Sequence, residues 1–91
     1  MKAILCHKYS SNISLRYEKI KSPTPKKDEI LISVKVAGVN FPDILIVQGK
    51  YQFKPELPFS PGGEVSGIIK KVGENVKKFK VGDKVFAGST W

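Results

Sequence analysis

The segment from Ala37 to Tyr51 constrains the fold more than any other part of the chain. It predicts a strand that runs directly into a helix of one to two turns, with Asn40 at the junction. Asn is a preferred N-cap residue, because its side-chain oxygen accepts a hydrogen bond from a free N–H of the first turn. Pro42 fits that first turn, and Gly49 supplies a left-handed stop. A short helix delimited in this way holds Asn40 rigidly at a strand end, where it can face a pocket.

Short apolar segments separated by Gly and Pro precede and follow this helix. Their pattern predicts strands over 2–6, 13–20, 30–37 and 64–72, and a last strand that follows a turn within 79–86. Five of the six prolines, all except Pro42, lie in the segments 21–29 and 51–61. Because proline is excluded from regular strand pairing, both segments are predicted to be loops, and 51–61 is an apolar one. Five short strands and one helix predict a mainly β protein, built as a β-barrel or a β-sandwich.

Two details of the strands can be tested against a structure. Ile30, Ile32, Val34 and Val36 alternate along their strand, so the pattern places them on one face of the sheet. Gly67 lies inside a strand pattern, where glycine indicates either a bulge or a close approach of two backbones.

Length and composition limit the class of protein. With 91 residues the chain forms one domain at most, and a domain of this size is only marginally stable alone. It has no eighteen consecutive apolar residues for a bilayer span, and the apolar stretch near Met1 is too short for a signal peptide. We therefore expect a cytoplasmic protein without a membrane partner. The single Cys6 fits a reducing compartment and predicts a small buried residue, while His7 has no ligand partners at metal spacing.

The net charge of +8 raises the possibility of nucleic-acid binding. Fifteen of the sixteen basic residues are lysines, however, and Arg16 is the only arginine. Nucleic-acid binders usually add arginine and exposed aromatic rings for stacking. The composition therefore favours solvated lysine faces and no nucleic-acid partner, with a long-range attraction for an anionic cofactor or substrate.

Three stretches of the sequence carry a family resemblance. They are AGVNFPDILIVQGKY, LPFSPGGEVSGIIKKVG and FKVGDKVFA, in that order. Together they resemble the N-terminal catalytic domain of the medium-chain dehydrogenase/reductase superfamily, and within it the zinc-free NADPH:quinone oxidoreductases of the zeta-crystallin-like branch. The resemblance implies a GroES-like β-barrel with one short helix over residues 1–91, incomplete at its C-terminal end. It also implies that the C-terminal Rossmann domain of the full-length family is absent from this chain.

The resemblance implies a site without metal. In the related zinc alcohol dehydrogenases, a cysteine ligand stands at the position of Asn40. A histidine ligand of those enzymes stands in a motif whose counterpart here is Gly62-Gly63-Glu64, with glycine in place of the histidine. Because a catalytic zinc needs three protein ligands, the loss of two excludes zinc-assisted alcohol chemistry. Glu64 is expected to be a structural, hydrogen-bonded carboxylate.

Two polar side chains are implied to contact both the nicotinamide end of the cofactor and the substrate. Asn40 can donate and accept hydrogen bonds, and Tyr51 can donate from its phenol to an acceptor oxygen. The alternatives are a purely structural N-cap for Asn40 and ring packing for Tyr51. Asp43 is either a residue that starts the helix or a catalytic one that also orders the active-site loop.

Three apolar residues are candidates for the wall of the substrate site. Phe41, Ile44 and Phe53 are expected to line the surface against which a flat ring stacks, with core packing as the stronger alternative for Ile44.

The leading hypothesis is the substrate-side domain of an NADPH-dependent oxidoreductase that transfers hydride to quinones or conjugated carbonyls. No glycine-rich nucleotide fingerprint occurs in these residues, so the isolated chain is expected not to bind or turn over NADPH. The Rossmann domain would be supplied in cis or by another chain, and the full-length form is expected to be a homodimer.

Two alternatives remain open at this stage. One is a 2-enoyl thioester or alkene reductase of the same superfamily. The other is a co-chaperonin-like binding module, although the loop 22–28 has no apolar tripeptide for docking. Trp91 is expected to leave an aromatic side chain uncovered and to promote self-association. The physiological acceptor and the choice between NADPH and NADH cannot be read from the sequence.

Overall fold

The computed structural model describes residues 1–88, within which the chain forms five β-strands and one α-helix. The mainly β prediction with a single short helix is confirmed, whereas the expectation for Trp91 lies outside the described residues. The elements in chain order are β1 (Lys2–Cys6), β2 (Leu15–Lys19), β3 (Ile30–Gly38), α1 (Phe41–Val47), β4 (Glu64–Val72) and β5 (Lys84–Gly88).

The described residues divide into two compact units. The helix unit comprises residues 1–21 and 39–63, with β1, β2 and α1. The sheet unit comprises residues 22–38 and 64–88, with β3, β4 and β5.

In the helix unit, β1 and β2 form an antiparallel pair that runs from Lys2 opposite Lys19 to Cys6 opposite Leu15. The second strand is shorter than the predicted 13–20, because Ile13 adopts a φ of 54° in a turn and its N–H donates to Ser10 O at 2.9 Å. Such a left-handed residue cannot continue a strand.

Cys6 is fully buried in the helix unit, as the sequence predicted. Its N–H donates to Phe59 O at 2.8 Å, and the Phe59 N–H donates back to Cys6 O at 3.2 Å. This pair of bonds joins the loop that follows α1 to the end of β1.

In the sheet unit, the three strands pair antiparallel in the order β3-β4-β5. Gly67 of β4 is buried, and a Cβ atom placed on it would lie 2.2 Å from Ser33 O. No side chain fits at that distance, so the predicted close approach of two backbones is confirmed.

The predicted single face of β3 is wrong. The pairing register shifts between Leu31 and Ile32 and again between Val34 and Val36. Val34 pairs with Gly67 while Val36 pairs with its neighbour Ser66. Because adjacent residues of β4 point to opposite faces, Val34 and Val36 do so as well. The two irregularities shift the alternation, and Val36 is left 65% exposed.

Candidate functional site

The position of the junction between the end of β3 and α1 is as the sequence predicted. Asn40 is the N-cap of α1, with an extended backbone at φ −124° and ψ 164°. Its N–H donates to Asp43 Oδ2 at 2.8 Å. Asp43 is only 8% exposed, although it is charged, and it stands in the first turn, where a carboxylate stabilises the helix dipole. The buried carboxylate therefore fixes the backbone of Asn40. Asn40 itself is an exposed residue, so its side-chain amide is available to a ligand.

The other end of α1 is closed at Gly49. Gly49 has a φ of 73°, which is the left-handed conformation that ends a helix. Its N–H donates to Ile46 O at 3.0 Å, and the Lys50 N–H donates to Leu45 O at 2.9 Å. The predicted stop is confirmed, and the half-buried Tyr51 follows directly after it.

The segment after β1 holds this helix end in place. The Ser10 N–H donates to Val47 O at 3.2 Å, which satisfies a carbonyl that the helix leaves unpaired. The Gln48 side-chain amide donates to Ser11 O at 3.0 Å. A helix of only two turns gains little from its own hydrogen bonds, so these contacts from outside the helix stabilise it.

Tyr9 is a positioning residue that sequence reasoning missed. Its hydroxyl donates to Pro55 O in the loop 51–61, and its ring lies 6.1 Å from the Phe59 ring. A Cβ atom on Gly49 would lie 3.0 Å from Tyr9 Cβ, so the same residue packs against the helix end. Desolvation, with a smaller contribution from Cys6, raises the pKa of Tyr9 above its usual value of about 10. The only sequence signal for Tyr9 is its position just after β1, because the residues that it contacts lie about 40 to 50 residues later in the chain.

The apolar candidates divide according to the helix period. Phe41 and Ile44 are three residues apart and share one face of α1, on which they are 70% and 40% exposed. Ile46 and Val47 are buried, together with Asp43. Core packing, the stronger alternative for Ile44, is therefore wrong.

All six candidates lie in the helix unit, although not at one point. Asn40 and Asp43 are in direct contact, with Phe41 and Ile44 on the adjacent helix face. Tyr51 lies beyond the far end of α1, which is about 10 Å long at 1.5 Å per residue. Phe53 is 42% exposed in the loop that Tyr9 anchors.

The sequence also singled out Glu64 and His7. Glu64 is exposed, and its carboxylate lies over Gly38, where a Cβ atom would come within 2.1 Å of Glu64 Oε1. This contact is not the hydrogen bond that the sequence predicted for Glu64. His7 Nε2 lies 2.5 Å from Glu18 Oε1, so the His7 ring is within hydrogen-bond distance of a carboxylate on β2. Within residues 1–88, no three His, Cys, Asp or Glu side chains come together as a group that could hold a metal ion.

Comparison with known proteins assigns the fold to a family. The family described as "Alcohol dehydrogenase GroES-like domain" matches residues 26–90, which is well over half of the chain. The chain belongs to this family. Among the described residues, no helix combines the length and apolar character needed to cross a membrane.

The chain resembles individual members over most of its length. It is 46% identical over 71 residues to the human protein named quinone oxidoreductase, which covers 78% of this chain and 22% of that protein. The structure of the Escherichia coli quinone oxidoreductase complexed with NADPH superimposes with a TM-score of 0.88 at 36% identity, covering 99% of this chain and 28% of that one.

Human synaptic vesicle membrane protein VAT-1 homolog-like superimposes with a TM-score of 0.91 at 35% identity, covering 100% of this chain and 29% of that one. This chain spans about a fifth of the length of the curated relatives that it matches. Two of these relatives are named quinone oxidoreductases, and such structural neighbours belong to the medium-chain dehydrogenase/reductase superfamily.

Proposed function

We propose that this chain is the substrate-side domain of an NADPH-dependent oxidoreductase that reduces quinones or related conjugated carbonyls without zinc. The nucleotide-binding Rossmann domain would be supplied in cis or by another chain. The full-length protein would be a cytoplasmic homodimer.

The observation that carries this proposal is the fixed position of Asn40. Its backbone is held by the buried Asp43, so the side-chain amide of Asn40 projects from a fixed backbone position at the helix N-terminus. Beside it, Phe41 and Ile44 present an exposed apolar face. A planar acceptor needs both features, namely an apolar surface for its ring and a preorganised donor for the oxygen on which negative charge develops.

These residues fit the nicotinamide end of the dinucleotide. The Asn40 side chain offers a donor and an acceptor, and Tyr51 offers a phenol. The pyrophosphate does not fit at α1, because Asp43 already brings a carboxylate to the helix N-terminus and accepts from the Asn40 N–H. The helix also has only seven residues. The phosphates therefore belong on a domain outside these residues.

When bound, a reduced nicotinamide would supply a hydride, which carries two electrons to the acceptor. The role of this chain is to orient the acceptor, to exclude water and to stabilise the charge on the acceptor oxygen. In the proposed arrangement, the Asn40 amide donates to that oxygen, and the Tyr51 hydroxyl is a second donor to the acceptor at a separate point, since Tyr51 follows the other end of α1. A hydroquinone would form once the acceptor, which then already carries the hydrogen of the hydride, has taken up one proton.

Two measurements test the proposal at different levels. Titration of the 91-residue chain with NADPH should show no binding at micromolar concentration, and micromolar binding would contradict the assignment of the phosphates to another domain. An enzyme that joins this domain to its Rossmann domain should reduce a benzoquinone faster than a crotonyl thioester. The opposite order of kcat/KM would overturn the quinone assignment in favour of an alkene reductase.

A further inference from the structure

One end of the sheet unit carries a concentration of lysines that the proposed reaction does not use. The segments 26–29 and 70–84 contain eight lysines and four carboxylates. Within them, Lys26, Lys27, Lys71 and Val81 line one concave surface with a volume of about 650 Å³. We refer to these four residues as the lysine surface.

The backbone beneath the lysine surface is tightly fixed. The Gly73 N–H donates to Glu29 O at 2.7 Å, and the Asn75 N–H donates to Lys27 O at 2.9 Å. A Cβ atom on Gly73 would lie 2.1 Å from Lys26 O, so the two segments are in direct backbone contact. Lysines 44 residues apart in sequence are therefore presented together without an entropic cost for ordering their backbones.

The neighbouring carboxylates neutralise this surface only in part. Glu29 Oε1 accepts from the Lys26 N–H at 2.9 Å, and Asp83 Oδ2 accepts from the Lys80 N–H at 3.0 Å, so both are committed to the backbone. Glu74 lines the same concave surface, and its Oε1 lies 3.6 Å from Lys27 Nζ, but both side chains are about 70% exposed. An ion pair this exposed is weak and can be replaced by other charges.

Apolar side chains accompany the lysines on the same hairpin. Val81 is 60% exposed on the lysine surface, and Phe79 is 47% exposed two residues before it. Exposed apolar residues between lysines suit a partner whose anionic groups lie at the surface of a hydrocarbon layer. The ammonium groups then contact the anions, and the apolar side chains reach the hydrocarbon below them.

We infer that the lysine surface binds the surface of a bilayer that contains anionic phospholipids. Clustered lysines near a membrane each contribute favourably to binding at an anionic leaflet. A nucleic-acid groove fits less well, since arginine is missing from residues 22–38 and 64–88. The sequence predicted no membrane partner because no segment can span a bilayer, but peripheral binding needs no span.

Vesicle sedimentation tests this inference directly. The chain should co-sediment with vesicles of phosphatidylcholine mixed with phosphatidylserine and should stay in solution with phosphatidylcholine alone. Each lysine lost from the surface should lower the partition coefficient about fivefold. The triple variant Lys26→Gln/Lys27→Gln/Lys71→Gln should therefore lose more than about a hundredfold in binding.

A second triple variant separates the lysine surface from total charge. Lys8→Gln/Lys19→Gln/Lys50→Gln removes the same three charges from exposed positions of the helix unit. This control should bind vesicles at least about tenfold more tightly than the first triple variant. Equal losses in the two variants would overturn the inference, because general electrostatic attraction would then explain the binding.

Two further comparisons test the hydrocarbon and the anion. Val81→Ser should weaken vesicle binding severalfold, whereas Val36→Ser, at a residue of similar exposure elsewhere in the sheet unit, should leave it unchanged. Equal effects of the two changes would contradict an apolar contribution from the surface. Inorganic phosphate should compete poorly with vesicles for the chain. If a single-stranded oligonucleotide displaced the chain from vesicles when its phosphate groups were less concentrated than those of the lipid, the surface would be assigned to nucleic acid instead.

Discussion

Replacement of Asp43 tests whether the buried carboxylate holds the candidate site together. Asp43 accepts the Asn40 N–H at 2.8 Å, and a hydrogen bond to a charged group contributes about 1.5–3 kcal/mol. Its position in the first turn of α1 adds about 0.3–1 kcal/mol from the helix dipole. Asp43→Ala should therefore lower the free energy of unfolding by about 2–4 kcal/mol. Asp43→Asn keeps an acceptor without the charge, so its loss should be about half as large.

Asp83 provides a matched control within the same chain. Its Oδ2 accepts from the N–H three residues earlier, at Lys80, at 3.0 Å, and its own N–H donates to Lys80 O at 3.1 Å. Asp83 lies in a turn without a helix and is half-buried. Asp83→Ala should therefore cost less than about 1.5 kcal/mol, as for a partly solvated hydrogen bond.

Urea unfolding followed by far-ultraviolet circular dichroism measures both losses. A domain of this size has a stability of about 5–14 kcal/mol, so a loss of 2–4 kcal/mol leaves a measurable transition in most of that range. With a slope of about 1 kcal/mol per molar urea, the midpoint of Asp43→Ala should fall by about 2–4 M. Equal shifts for the Asp43 and Asp83 variants, or a loss below about 0.5 kcal/mol for Asp43→Ala, would refute the proposed role of the carboxylate.

Two further predictions concern packing and pH. Gly67→Ala should destabilise the sheet unit by about 3 kcal/mol in urea unfolding, because its Cβ atom would meet Ser33 O at 2.2 Å and the strands would have to separate. Gly88→Ala, with no atom of residues 1–88 within 4 Å of its Cβ position, should be neutral, and equal losses would contradict the close approach. The raised pKa of Tyr9 means that its contribution to stability is present below pH 10 and is lost as pH rises through the folded-state value. Unfolding at pH 8 and at about pH 11 should show a smaller alkaline loss for Tyr9→Phe than for the original chain, and an identical loss would refute the assignment.

The parts of the structure that depend on local chemistry were predictable from the sequence. Asn40, Asp43 and Gly49 define the start and end of α1 through their own preferences, and the helix forms where they place it. The sequence predicts the strand 64–72 with the bounds that it has in the structure, because it combines β-branched residues with turn residues on both sides.

The parts that depend on distant partners were not predictable in the same way. The exposure of Val36 follows from two register shifts in β3, which arise from pairing with β4 and leave no mark on the alternating pattern. Tyr9 acts through Pro55, 46 residues later, and a single sequence does not show which aromatic residue reaches which carbonyl. The same limit applies to the position of Tyr51 relative to Asn40.

The most direct test of the proposed function is quinone reductase turnover by an enzyme that joins this domain to its Rossmann domain. Asn40→Ala removes a donor to the developing oxyanion and should lower kcat about 10²–10³-fold. Tyr51→Phe should lower kcat by about 10²-fold through loss of its proton and hydrogen bond. Asn12→Ala and Tyr17→Phe, at exposed positions of the helix unit, should leave turnover unchanged. Full turnover by the Asn40→Ala/Tyr51→Phe double variant would contradict a site organised around this amide and phenol.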